Sequence, residues 1–351
     1  MQTDPWSAIE SYLSSIGHVL DPDFEIQELS GGSANHNFLI SMDGQKAVLR
    51  RPPQGPLPPG SNDVAREYKV LSRLGDAYPL APKGLLLCKD LSVVGVPFCV
   101  SEFREGVCIG RSLPAPLQSK AGVGATLAKT LIEALVSLHR VDVDRVGLSD
   151  LGRSDGFLER QIAGWYKRGL RVLAIPRQKL LAEIRDWLTE KLPESRDTCL
   201  VHNDFKLDNM LIDPETLEAQ GVVDWDMCTL GDPIYELAIL LSYWGAKNDD
   251  DLLSYQCRMP CEAPGWWERR QVVDHYLHLA DRRVSKTDLT FYWTLSQYRA
   301  AVVYAQLRTL HADGERPSAI SSEQFDAMEP FVDQLLRFTA TTLGSAPAWM
   351  E

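Results

Sequence analysis

The stretch that decides the reading is VHNDFKLDNMLID, residues 201–213, followed closely by GVVDWD, residues 221–226. By spacing it is His202-x-Asp204-x-x-x-x-Asn209, with Asp224 fifteen residues after the asparagine. Leu200-Val201 enters this loop, Met210 to Ile212 leaves it, and Val222-Val223 delivers Asp224. Short apolar runs bounded by polar turn residues read as strands, so the acids fall at strand ends. A cluster of Asp and Asn is by itself often only a turn. The flanking strands make this one a candidate site.

The spacing resembles the protein-kinase catalytic loop, H-R-D-L-x-x-x-N with a later metal-binding Asp. Phosphoryl transfer needs a carboxylate near the attacking hydroxyl and an oxygen-rich metal site beside the phosphates. Asp204 is the expected base that orients and deprotonates the acceptor. Asn209 and Asp224 are the expected Mg²⁺ ligands, both hard oxygen donors. His202 is expected to brace the loop and carry no proton. Asp226 reads equally as a helper near the metal or as a loop carboxylate. Lys206 reads either as a side chain reaching the transferred phosphate or as a solvent-facing lysine. No G-x-S-x-G nucleophile elbow competes.

Working outward, the first hundred residues read as a small α+β unit. Strand-like stretches around Phe38 to Ile40 and Ala47 to Leu49 flank Met42-Asp43-Gly44-Gln45, whose Asp-Gly pair signals a hairpin. Five prolines between residues 52 and 59 exclude a helix or central strand there. VAREYKVLSRL follows, with Val64, Tyr68, Leu71 and Leu74 on one predicted helical face and Asp63 as its cap. LLLCKD and VPFCVSEF are two further strands, separated by a turn near Leu91 to Gly95.

After Gly106 the pattern becomes helical. Leu127, Leu131, Leu135 and Leu138 recur at steps of three and four. A second helical region covers about 155–190, interrupted near Pro176. From Tyr235 the chain is almost wholly helical in pattern, with breaks at Pro260, Pro264 and residues 314–317. Asp232 is expected to cap a helix starting at Pro233, and the final GSAPAWME to fray. The expected domains are residues 1–103, a nucleotide-binding lobe, and 104–351, a catalytic and acceptor-binding lobe.

The chain has 351 residues, 44% apolar and 24% charged, an ordinary globular composition. Thirty-six Lys and Arg against forty-eight Asp and Glu give a net charge of −12. That argues against a nucleic-acid partner, although a local basic pocket can still sit in an acidic protein. Seven cysteines without a C-x-x-C pair support neither a disulfide scaffold nor a zinc site. MQTDPWSAIE lacks a signal-peptide pattern and no apolar run spans a membrane. A cytoplasmic monomer or homodimer is expected.

These motifs resemble the aminoglycoside phosphotransferase and choline kinase superfamily over nearly the whole chain. The implied fold is α+β and bilobal, protein-kinase-like, with a small antiparallel-sheet N-lobe and a large mainly helical C-lobe. The implied activity is transfer of the ATP γ-phosphate to a small-molecule hydroxyl, with ATP and Mg²⁺ as cofactors. The superfamily loop is H-G-D-x-x-x-x-N, and Asn203 stands here where glycine is usual. The resemblance places Arg50 at the position of the customary strand lysine that contacts phosphates, and Glu67 as its partner. The alternatives are a surface arginine and an ordinary helix Glu. It makes Gly31-Gly32-Ser33 a shortened phosphate loop, or otherwise a plain turn. Cys99, Val100 and Ser101 open the segment lining the adenine pocket.

The Pro-rich stretch, FLERQIAGWYKRG and FYWTLSQYRAAVVYAQ resemble phosphotransferase domains related to those fused to acyl-CoA dehydrogenases. That implies a hydroxyacyl-CoA acceptor, whose phosphates Arg160, Lys167, Arg168 and Arg171 could meet. Otherwise these four line a solvated helix face. An aminoglycoside, macrolide or other small alcohol is the alternative acceptor, with Asp249-Asp250-Asp251 either an acidic patch or a solvated helix start. A catalytically inactive nucleotide-binding scaffold is the non-enzymatic alternative.

Overall fold

A computed structural model describes residues 5–29, 35–54, 63–193, 197–312 and 322–350. The chain divides into two compact units, so the fold is bilobal and α+β. One unit comprises Met1–Gly106, Asp142–Leu151 and Gln220–Cys228; the other comprises Val107–Val141, Gly152–Ala219 and Thr229–Glu351.

The first unit opens with helix α1 (Pro5–Ser15) and is built on strands β1 (Gln27–Glu28), β2 (His36–Met42) and β3 (Gln45–Arg51). Helix α2 (Val64–Leu74), β4 (Gly84–Cys88), the single turn α3 (Leu91–Val94) and β5 (Phe98–Glu102) follow. The strands form one sheet in the order β1-β2-β3-β5-β4, antiparallel throughout. The Asp-Gly signal is realised: Met42 pairs with Gln45, and Asp43 and Gly44 both take positive φ, 55° and 75°. A two-residue loop with that twist matches the twist of the strands it joins. Ile40, Ala47, Leu49, Phe98 and Val100 form the core under α1, with Ile9 and Leu13.

Asp63 caps α2 by accepting the Arg66 amide hydrogen. The buried face of α2 is Val64, Glu67, Val70, Leu71 and Leu74; Tyr68 is only half-buried. An acid thus takes a core position that periodicity assigns to an aromatic ring. At Gly84 a side chain would come within 2.9 Å of the Ser72 amide nitrogen, so glycine lets β4 lie against α2.

The second unit carries α4 (Ala115–Gln118), α5 (Val123–His139), α6 (Phe157–Val172) and α7 (Ile175–Glu190). Short strands β6 (Cys199–Val201) and β7 (Met210–Ile212) follow, then β8 (Ala219–Val222), which leads into the first unit's Gln220–Cys228 segment, and β9 (Thr229–Gly231). The chain ends in α8 (Pro233–Tyr243), α9 (Asp251–Gln256), α10 (Arg269–Ala280), α11 (Lys286–Ala312) and α12 (Ser322–Thr341). Pro176 lies in the first turn of α7 and starts that helix, as its missing N–H allows. Every residue of α8 is buried. The tail does not simply fray: Trp349 sits edge-on to Trp293, ring centroids 5.5 Å apart. Among the described residues no helix is long and apolar enough to cross a membrane.

Candidate active site

In the second unit, β6 pairs antiparallel with β9 and delivers the loop at His202. The His202 ring is fully buried and edge-on to Phe205. Its backbone N–H donates to Glu236 Oε2 at 3.1 Å, and the Asn203 N–H donates to Glu236 Oε1. Glu236, on α8, is wholly buried, and its Oε2 is also 2.8 Å from His139 Nε2. His139 Nδ1 is in turn 2.7 Å from the Tyr276 hydroxyl. The loop is thus held by its peptide groups from behind. Asn203 has φ 67°, the left-handed region in which glycine is at ease and Asn is tolerated.

Asp204 follows that turn. It pairs with Lys206 Nζ, which also lies 3.2 Å from Asp208 and 5.8 Å from the centre of the Tyr243 ring. Asn209 Nδ2 donates to Asp204 Oδ2 at 3.1 Å and to the Asp204 carbonyl at 2.9 Å. With the nitrogen so used, the amide oxygen is the ligand-type atom of Asn209. Burial alone would push the Asp204 carboxyl up; Lys206 and Arg299 outweigh it and hold the group below its ordinary value. Asp204 is therefore an ionised acceptor of hydrogen bonds. Asp208 goes the other way, because burial outweighs Lys206 there.

Cations continue beyond the loop. Arg299, on α11, donates to the Tyr243 hydroxyl at 3.0 Å and stands 5.5 Å from the Trp165 ring centre. Arg168 lies over the same indole at 4.4 Å. Burial and the neighbouring Arg299 hold the Arg168 guanidinium below its ordinary value. Arg258 donates to the Tyr304 hydroxyl at 2.6 Å and acts on Asp208 through its charge. Of the other three helix cations, Arg160 folds back onto the carbonyls of Asp155 and Arg153, while Lys167 and Arg171 are exposed. The acidic run is partly consumed internally. Asp249 pairs with buried Arg269 at 2.6 Å, and Asp250 caps α9 through the Leu253 amide.

The first unit holds the second constellation. Arg50 on β3 is buried, with Nε 3.1 Å from Glu67 Oε2. Its Nη2 pairs with Asp224 and lies 3.7 Å from Asp226. Arg51 points to the other side and lies over Phe38. Asp224 takes φ 72°, just before Trp225, which is fully buried and donates through Nε1 to the Val222 carbonyl at 2.7 Å. Three carboxylates thus surround one guanidinium. Burial pushes Glu67 up to about 7, against the pull of Arg50.

Cys99, Val100 and Ser101 lie on β5 between β3 and β4, in register with Arg50 and Leu87, Leu49 and Leu86, and Val48 and Gly84 respectively. Their backbones are therefore engaged on both sides, and the chain leaves the sheet after Glu102. Gly31, Gly32 and Ser33 lie outside the described residues. Glu236, His139, Tyr243 and Arg299 belong to none of the motifs that point to the site in the sequence. A signal existed for Glu236, the one acid in the otherwise apolar run PIYELAILLSY. Arg299 carries none, because a single arginine in a long helix is ordinary.

Among known proteins, the chain is 32% identical over 239 residues to acyl-CoA dehydrogenase family member 10 of Mus musculus, covering 67% of this chain and 22% of that protein. It is 30% identical over 310 residues to acyl-CoA dehydrogenase family member 11 of Gallus gallus, covering 86% and 39%. The chain thus spans well under half the length of these relatives. In structure it is similar to a Ralstonia eutropha JMP134 protein assigned to the aminoglycoside phosphotransferases, with TM-score 0.71, 22% identity, and 96% and 98% of the two chains covered. The profile of the phosphotransferase enzyme family matches residues 25–272, and the chain, a phosphotransferase with a kinase-like fold, belongs to that family.

Proposed function

We propose that the chain transfers the γ-phosphate of ATP to a hydroxyl of an anionic small molecule, a hydroxyacyl-CoA thioester. The observation that carries the reading is Asp204: a carboxylate held below its ordinary value, on a loop whose peptide groups are hydrogen-bonded to Glu236, beside Lys206 and Asn209. Asp204 accepts a hydrogen bond from the substrate hydroxyl and takes its proton as the new phosphorus–oxygen bond forms and the bond from the γ-phosphorus to the departing ADP oxygen breaks. Lys206 keeps that carboxylate ionised and offsets negative charge on the phosphoryl group. Arg50, held in place by Glu67, binds donor phosphate through its planar fork. Asn209 and Asp224 each present a hard oxygen of the kind Mg²⁺ takes, and Mg²⁺ supplies charge neutralisation on the phosphates when bound. Among the described residues no three His, Cys, Asp or Glu side chains are grouped as a metal cage.

The acceptor class follows from charge. The network through Tyr243 and Trp165 carries Lys206, Arg299 and Arg168, with Arg258 acting on Asp208, against the carboxylates of Asp204 and Asp208. An excess of cations attracts an anionic acceptor and repels a polycationic aminoglycoside. The link to the relatives named for acyl-CoA dehydrogenases points the same way.

The test is a phosphorylation screen read by mass spectrometry, with Mg-ATP and separate wells of hydroxyacyl-CoA thioesters, aminoglycosides, macrolides and neutral alcohols. Phosphate gained by the thioesters alone is the expected result. Phosphate gained by an aminoglycoside would overturn the acceptor assignment. The Asp204→Asn variant should retain ATP binding and lose turnover by about 10²–10⁴-fold; full turnover would overturn the role of Asp204 and with it the mechanism.

A further inference from the structure

The reaction assigned above requires Asp204 to be aimed, yet Asp204 follows a residue in a left-handed conformation. Asn203 lacks the conformational freedom that glycine would bring to such a turn. Its peptide environment explains how the turn is kept. The amide hydrogen is taken by Glu236, and the Asn203 carbonyl accepts from Arg299 Nη2 at 3.3 Å. An anion from α8 and a cation from α11 thus hold the two backbone polar groups of one residue. Arg299 is 4% exposed, and its other terminal nitrogen donates to the Tyr243 hydroxyl. The Trp165 ring centre lies 5.5 Å from the guanidinium carbon.

We propose that Arg299 is a positioning residue for Asp204, acting through the Asn203 carbonyl that it holds opposite Glu236. The inference rests on the reading of Asp204 as the reacting carboxylate, but the clamp on the loop can be measured separately. A neutral side chain in place of Arg299 leaves the Asn203 carbonyl without its charged donor. The loop then samples other conformations, and the fraction of molecules with Asp204 aimed falls. Chemistry suffers while nucleotide binding, which uses other residues, does not.

The experiment compares full-length wild type, Arg299→Met and Arg299→Lys by hydrogen–deuterium exchange and by phosphate release from Mg-ATP with and without a hydroxyacyl-CoA. Arg299→Met should speed exchange in peptides covering residues 199–209 by tenfold or more and leave those covering 36–51 unchanged. It should lower kcat at least tenfold with KM for ATP within threefold of wild type, and Arg299→Lys should restore part of both. Loop exchange within threefold of wild type in Arg299→Met, or a rise in KM for ATP with kcat preserved, would overturn the proposal. If Arg299→Met does not fold, Tyr243→Phe removes the hydroxyl that orients the guanidinium; faster loop exchange in that variant supports the clamp and unchanged exchange refutes it. Full turnover in Asp204→Asn would sink the proposed function, whereas a dead Asp204→Asn beside a fully active Arg299→Met would sink only the role of Arg299.

Discussion

Glu236 accepts the amide hydrogen of Asn203, so a buried acid on α8 stabilises the left-handed turn that precedes Asp204. The same carboxylate takes the His202 amide and meets His139, which fills its hydrogen-bonding capacity in a place water does not reach. Buried carboxylates are tolerated only when satisfied in this way.

Glu236→Gln should therefore be costly although it is nearly isosteric. The amide has one acceptor oxygen and brings two N–H donors to a site filled with donors. The expected loss is about 1–3 kcal/mol in unfolding free energy, read by urea denaturation, with turnover reduced in the surviving folded fraction. A stability within error of wild type would show that the loop does not depend on this acid.

Glu67 makes stability depend on pH. Its folded value, about 7, lies above its ordinary 4.5, chiefly through burial. The folded state therefore binds the proton more tightly than the unfolded chain. Stability should fall as pH rises from 4.5 to about 7 and level off above, by up to about 3 kcal/mol from this group. The check is the difference between wild type and Glu67→Gln across that range in magnesium-free buffer. A difference independent of pH would refute it.

Gly231→Ala tests the strand pair behind the loop. A Cβ there would lie 2.7 Å from Val201 Cγ2 and 2.8 Å from Phe157 Cζ. Both neighbours are packed, so β6 must shift, at a cost of about 1–3 kcal/mol. Thermal unfolding should show it, together with a larger fall in turnover than in ATP affinity, because Val201 leads directly into His202.

Arg168→Gln addresses the acceptor. With one cation removed beside Trp165, KM for an anionic thioester should rise about fivefold to tenfold, equivalent to roughly 1–1.4 kcal/mol. Added salt should weaken binding less in the variant than in wild type. A neutral alcohol acceptor should show neither effect. Equal effects on charged and neutral acceptors would point to a packing defect.

Much of this protein is local in origin. The Asp43-Gly44 hairpin, the Asp63 cap and the Asp232 cap are written in adjacent residues, because turn and cap geometry involve only a few neighbouring backbone groups. The spacing of His202, Asp204 and Asn209 is legible for the same reason, since one loop carries all three. Arg50, Glu67 and Asp224 stand far apart in sequence, and only a family resemblance could suggest that they meet; their contacts come from packing of α2 and the Asp224 segment beside β3. Tertiary structure alone decided that Glu67 takes a core position, that Glu236 and Arg299 hold the two backbone groups of Asn203, and that Arg168 and Arg299 share an indole. Burial and long-range charge depend on what folds alongside a residue, and no window of sequence contains that neighbour.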